Sequence, residues 1–169
     1  MNAGIFLRSI VHGVILTVIL AASVQAMVIR IPSRLAAVGQ QFSLPVIIDK
    51  ADNLAGLKIV IEYDEKVIAY RKCEKSKQAQ SLMHVVNDNK PGVLIIVMAG
   101  AKGLKGEKLT IVDLVFEGLA KGEANLKVTK SQLMSDQLKN MEHRQNVETI
   151  RIDTVVPSVQ NKARQDGNS

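Results

Sequence analysis

From residue 27 onward, apolar residues recur at every second position. Phe42, Leu44, Val46 and Ile48 alternate with Ser43, Pro45, Ile47 and Asp49, and Leu57, Ile59, Ile61 and Tyr63 alternate with Lys58, Val60, Glu62 and Asp64. A period of two puts each set on its own face of a pleated strand, so both runs predict half-buried strands. Val93 to Ala99 is apolar on both faces. That is the pattern of a central strand covered on each side, or of one whose outer face meets a partner. Thr110, Val112, Leu114 and Phe116 form another inward row; Leu126 with Val128, and Ile150 with Ile152, add shorter ones. Ala51-Asp52-Asn53, the segment from Asn87 to Gly92, the segment from Gly103 to Gly106, and Lys121-Gly122-Glu123 read as loops. Only Ser131 to Met141, with Leu133, Leu138 and Met141 spaced for one face, predicts a short helix. Short strands without alternating helices predict an all-β fold, an antiparallel β-sandwich.

The first 26 residues stand apart. Arg8 is their only charged side chain, an apolar run extends from Ile10 to Ala22, and Val24-Gln25-Ala26 supplies the short side chains that signal peptidase reads. This predicts a secretory signal peptide cut after Ala26. The run is shorter than the roughly 20 residues needed to cross a bilayer, and no second stretch approaches that length. The expected organisation is a signal peptide over 1–26, one sandwich domain over 27–153, and a polar, flexible tail over 154–169. The expected location is extracellular or periplasmic, with no membrane span after cleavage.

Composition narrows the chemistry. There are 22 Lys+Arg against 16 Asp+Glu, one Cys and no Trp. A lone Cys73 forms no disulfide within the chain, and its expected state is half-buried and inert, the alternative being a reactive or intermolecular thiol. The densest basic stretch, Arg71 to Lys77, contains no aromatic side chain for base stacking, so it reads as a solvated loop and not as a nucleic-acid site. His84 beside a strand and His143 in a polar loop lack metal-ligand spacing, and no Gly-x-Ser-x-Gly elbow is present. Glu62 and Asp64 fit a solvated face and a turn cap better than a glycosidase pair. The segment from Asn87 begins like a calcium loop, yet Pro91 and Met98 occupy positions where ligands are required, which makes it a hairpin turn. No catalytic residue, metal or cofactor is expected. Sugar stacking needs exposed aromatic rings; Phe42, Tyr63 and Phe116 occupy inward rows, leaving Tyr70 as the single candidate platform.

The order of these features resembles a cohesin domain, the receptor module of cellulosomes. The stretches that carry the resemblance are Val28 to Ile31, Val38 to Val46, Gly56 through the Tyr63-Asp64 pair to Val67-Ile68, Gly92 to Ala99, and Ile111 to Phe116. The resemblance implies a jelly-roll or Greek-key sandwich of about nine strands, related to carbohydrate-binding modules. It also implies a non-catalytic module in which one sheet face meets a helical dockerin. On that reading the partner-binding residues are Lys58, Val60, Glu62, His84, Val86, Leu94, Ile96 and Met98. Apolar residues ringed by charge suit an interface, although the same domain covering Leu94, Ile96 and Met98 explains them equally well. The chain departs from better-known cohesins in carrying Gly56 and Lys58 where those have Asn and Asp. A reversed charge favours an acidic partner surface and leaves partner identity open. Three readings stand. They are an exported module that docks a dockerin-like protein in polysaccharide-degrading assemblies, a carbohydrate-binding accessory domain, and a structural subunit of an envelope or secretion assembly.

Overall fold

A computed structural model describes residues 26–154. The expected signal peptide up to residue 25 and the expected tail from residue 155 lie outside the described residues. Ten strands follow one another: β1 (Met27–Ile31), β2 (Arg34–Ala37), β3 (Gln41–Glu62), β4 (Ile68–Lys75), β5 (Met83–Asn87), β6 (Val93–Gly118), β7 (Gly122–Glu123), β8 (Lys127–Ser135), β9 (His143–Val147) and β10 (Ile150–Asp153). One 3₁₀ turn, Lys77–Ala79, precedes β5.

Two strands are exceptionally long. β3 has 22 residues and β6 has 26, and they pair antiparallel from Gln41 opposite Glu117 to Glu62 opposite Val93. The segments 51–53 and 103–106, which the sequence marks as loops, lie within these strands. Their turn residues bend the ribbon instead of ending it. The ladder shifts register between Asp52 and Leu54 and again between Leu54 and Gly56, and Asn53 adopts φ 69°. Gly103 passes so close that a Cβ there would lie 2.6 Å from the Asn53 carbonyl oxygen. Such irregularities bend a strand sharply while pairing resumes on either side.

The bend divides the ribbon between two layers. One half joins the path β9–β1–β3–β6–β4, while β8 and β5 flank the other half, giving β8–β3–β6–β5. A small sheet, β2–β10–β7, closes one end. The sandwich is not wholly antiparallel, because β1 pairs with β9 and β2 with β10 in parallel. The inward rows expected from the alternation meet in a single core containing Leu44, Val46, Ile48, Ile59, Ile61, Leu114 and Phe116. Fully buried Phe116 stacks on Phe42 at 6.2 Å and meets the edges of Tyr63 at 5.2 Å and Tyr70 at 5.9 Å. Because Tyr63 leaves the far end of β3, this cluster connects the two layers. Tyr70 is half-buried against the core, which removes it as a free sugar platform.

Three further expectations are corrected. Ser131 to Met141 is not helical: β8 continues through Ser135 and a turn follows, with Leu138 at φ 59°. The backbone bonds offered by β3 outweigh a weak helical spacing there. The basic stretch from Arg71 is part of edge strand β4, where Arg71 pairs with Glu117 at 3.0 Å and Lys72 with Glu74 at 2.6 Å. His143 opens β9 and does not sit in a loop. The segment after β5 is the expected hairpin turn: Asn87 Oδ1 accepts from the Asn89 amide at 3.1 Å, and Gly92 takes φ 72°.

Phe116→Ala removes the ring on which three aromatics converge, so it should cost about 3–5 kcal/mol of unfolding free energy, read as a lower urea midpoint in equilibrium denaturation.

Candidate functional site

The outer faces of the two layers differ in kind. On the β9–β1–β3–β6–β4 layer, Arg30 is paired with Asp49 at 2.5 Å, Arg71 with Glu117 at 3.0 Å, and Ser43 donates to Asp113 at 3.4 Å. Its outward charges are largely answered within the chain. The β8–β3–β6–β5 layer presents an apolar surface instead.

The register identifies the residues of that surface. Lys58 lies opposite Val97, Val60 opposite Ile95, and Glu62 opposite Val93. On the far side of β6, Val97 lies opposite Val85 and Ala99 opposite Met83. Opposed residues in an antiparallel ladder share a face, so the exposed Lys58 and Glu62 carry Val93, Ile95, Val97, Val85 and Met83 outward with them. Met83 is 79% exposed, Val85 65% and Val97 41%. On β8, Lys130 lies opposite Val60 and Lys127 opposite Glu62. The result is an apolar stripe along β6 and β5, bordered on the β3–β8 side by Lys58, Lys127 and Lys130 with Glu62 between them. Beyond Lys58 the face dips into a hollow of about 520 Å³, whose lining includes Gly56, Val97, Ala99, Met134 and Leu138. Gly56 is not forced by crowding, since a Cβ there would meet its nearest atom, the Met134 Cβ, at an ordinary 3.6 Å.

Of the sequence-derived candidates, Lys58, Val60 and Glu62 stand on this face. Leu94, Ile96 and Met98 do not; they are at most 1% exposed and belong to the core. His84 and Val86 share their inward parity, since His84 lies opposite Met98 and Val86 opposite Ile96, and both are half-buried. The error is one of parity. A strand apolar at every position shows no polar residue to mark its outer side, and a one-residue offset exchanges the faces. The residues missed are Met83, Val85, Val93, Ile95, Val97, Lys127 and Lys130. Lys58 and Glu62 were the signal, once strand pairing is known.

Asp64 and His143 make hydrogen bonds within the chain. Asp64 caps its turn by accepting from the Lys66 amide at 3.0 Å. His143 Nδ1 donates to the Met141 carbonyl at 2.9 Å, so Nε2 accepts from the Ser131 hydroxyl at 2.6 Å, and Gln145 donates to that hydroxyl at 2.7 Å. This network ties β8 to β9. Among the described residues, no three His, Cys, Asp or Glu side chains cluster as a metal site would require.

The cohesin domain model matches residues 27–152. The chain belongs to the cohesin family. Cohesins are non-catalytic binding modules, so this one is not an enzyme. Its fold is similar to that of a non-cellulosomal cohesin from the archaeon Archaeoglobus fulgidus, with 16% identity, TM-score 0.66, and coverage of 76% of this chain and 91% of that one. It is also similar to the structure of a type I cohesin–dockerin complex from Clostridium thermocellum, with 14% identity, TM-score 0.66, and coverage of 76% and 99%. A cohesin module from a Clostridium perfringens family 33 glycoside hydrolase gives 13% identity, TM-score 0.64, and coverage of 76% and 96%. A search of curated proteins returns no match.

Cys73 of this cohesin is half-buried in β4. Burial pushes its thiol up to about 11, with Asp113 and Glu74 adding to the shift, and burial likewise pushes Tyr70 up to about 12. Both groups are neutral at pH 7 and ionise more readily when the chain unfolds. Stability attributable to Cys73 is therefore complete below its ordinary value of 9.0 and is lost as pH rises toward about 11. Urea midpoints should fall across that alkaline window, and Cys73→Ala should flatten part of the fall. At neutral pH the folded protein should react with iodoacetamide much more slowly than the unfolded chain.

Proposed function

We propose that this cohesin is an exported receptor module that docks a dockerin-like protein through the outer face of β8–β3–β6–β5, in an assembly that degrades polysaccharide. The observation that carries the reading is the contrast between the two sheet faces. One is laced with ion pairs made within the chain, whereas the other exposes Met83, Val85 and Val97 beside lysines. An apolar centre with a charged border is the anatomy of a protein interface. Structures of related cohesins in complex with dockerins support the class of partner. Export is supported by the apolar run from Ile10 to Ala22, and the family match begins at Met27, the residue after the expected cut. The organisation expected from the sequence follows on this reading, with residues 1–26 as signal peptide, 27–153 as the binding domain and 154–169 as a tail.

The border selects the partner's chemistry. Lys58, Lys127 and Lys130 outnumber Glu62, so the partner presents apolar side chains flanked by carboxylates. Across such a border, charge governs encounter rate and choice of partner more than total affinity.

A pull-down from the native secretome with residues 27–169 as bait, with insoluble polysaccharide run in parallel, tests the reading. Recovery of a dockerin-bearing protein supports it. Retention on polysaccharide with no protein partner would replace it with a carbohydrate-binding role. With the partner in hand, Lys58→Glu should weaken binding by about tenfold, mainly through slower association at low salt. Val97→Asp should cost about 2 kcal/mol or more of binding energy. Neither change should move the melting temperature appreciably, because both side chains are exposed. Equal affinity of wild type and both variants would remove this face from the proposal.

A further inference from the structure

An unpaired sheet edge offers a row of free backbone N–H and C=O groups, and proteins defend such edges with charge, proline or covering side chains. In this chain β4 and β9 are defended. β4 carries Arg71, Lys72, Glu74 and Lys75. β9 carries Arg144, and its His143 and Gln145 bond across to Ser131 of β8. β5 pairs with β6 alone and has neither defence. Its residues, Met83, His84, Val85, Val86 and Asn87, include no Lys, Arg, Asp, Glu or Pro, and Met83 and Val85 are well exposed apolar side chains.

We propose that β5 is a self-association edge, on which a second copy of this chain adds its own β5 in antiparallel register about a two-fold axis through Val85. In that register Val85 meets its counterpart, Met83 lies opposite Asn87, and His84 opposite Val86. No charged residue opposes another, so no like-charge repulsion resists self-pairing. Opposed residues point to the same side, so the exposed Met83 and Val85 of both copies share the outer side while His84 and Val86 stay on the inner side. A one-residue slip breaks that match, and a two-residue slip shortens the paired stretch from five residues to three. The two β8–β3–β6–β5 layers then form one continuous sheet with both apolar faces on the same side. This inference is independent of the identity of any docked partner.

Sedimentation equilibrium of the purified protein without partner, from low to high micromolar concentration, tests it. Wild type should shift from the monomer mass to twice that mass as concentration rises. Val85→Lys, which sets two lysines opposite each other at the axis, should hold the monomer mass throughout, whereas Val97→Asp, on the same face but on the central strand, should still dimerise; both side chains are exposed, so circular-dichroism melts should be unchanged. A wild type that stays monomeric at high concentration would overturn the proposal. So would a dimer that persists in Val85→Lys, or one that Val97→Asp abolishes, which would place the contact on the sheet face and away from the β5 edge.

Discussion

The structure depends on one antiparallel ribbon, β3 with β6, bent so that each strand serves both layers. A strand alternates its side chains, so one continuous register fixes which residues face inward throughout the ribbon. At the bend, the shifts beside Leu54 and the left-handed Asn53 reset that register and let the second half turn its own inward row toward the same core. Leu44 and Val46 from one half and Ile59 and Ile61 from the other therefore meet in one core, although about a dozen residues separate them in sequence. β1, β4, β5, β8 and β9 attach to this ribbon directly or through β1, and each takes its parity from it.

The candidate face is a consequence of the same ladder. Fixing Ile96 and Met98 inward forces Ile95 and Val97 outward, however apolar they are. Inside a covered sheet that would be unremarkable, but here their neighbours outward are Lys58, Val60 and Val85, and among the described residues no salt bridge involves the stripe's charged border. On the opposite layer the outward positions went to Arg30, Asp49, Arg71, Asp113 and Glu117, which answer one another or a neighbouring hydroxyl. A side chain that already has a partner gains little from a new one, because binding must first break the existing bond. The apolar layer has no such cost and gains from covering Val97, Val85 and Met83.

Most of the fold was legible because strand alternation is a local property. The rows at Phe42 to Ile48, Leu57 to Ile61 and Thr110 to Phe116 emerge as strands, and the resemblance to cohesins holds. What was illegible depends on pairing. Asp52-Asn53 and Gly103 to Gly106 look like loops in isolation, and only their apposition turns them into a corner. Ser131 to Met141 lacks a clean period, so β3 decides its conformation as a strand and a turn. The candidate site was half legible for the same reason. Lys58 and Glu62 mark the outer side of β3 themselves, but Val93 to Ala99 carries no polar residue, and its parity becomes visible only through the Lys58–Val97 pairing.

The inward and outward sides of these strands are under different constraints. Cohesins as distant as 11–16% in identity share this fold, because any apolar residues of suitable size satisfy the inward rows. Outward rows are under no such requirement. Gly56 shows this directly: its surroundings would accept a Cβ, so its smallness is not demanded by the core. Lys58 is likewise exposed and unpaired among the salt bridges of the described residues. Gly56 and Lys58 are therefore positions the fold leaves free. Substitution at either position would leave the inward rows, and with them the fold, untouched.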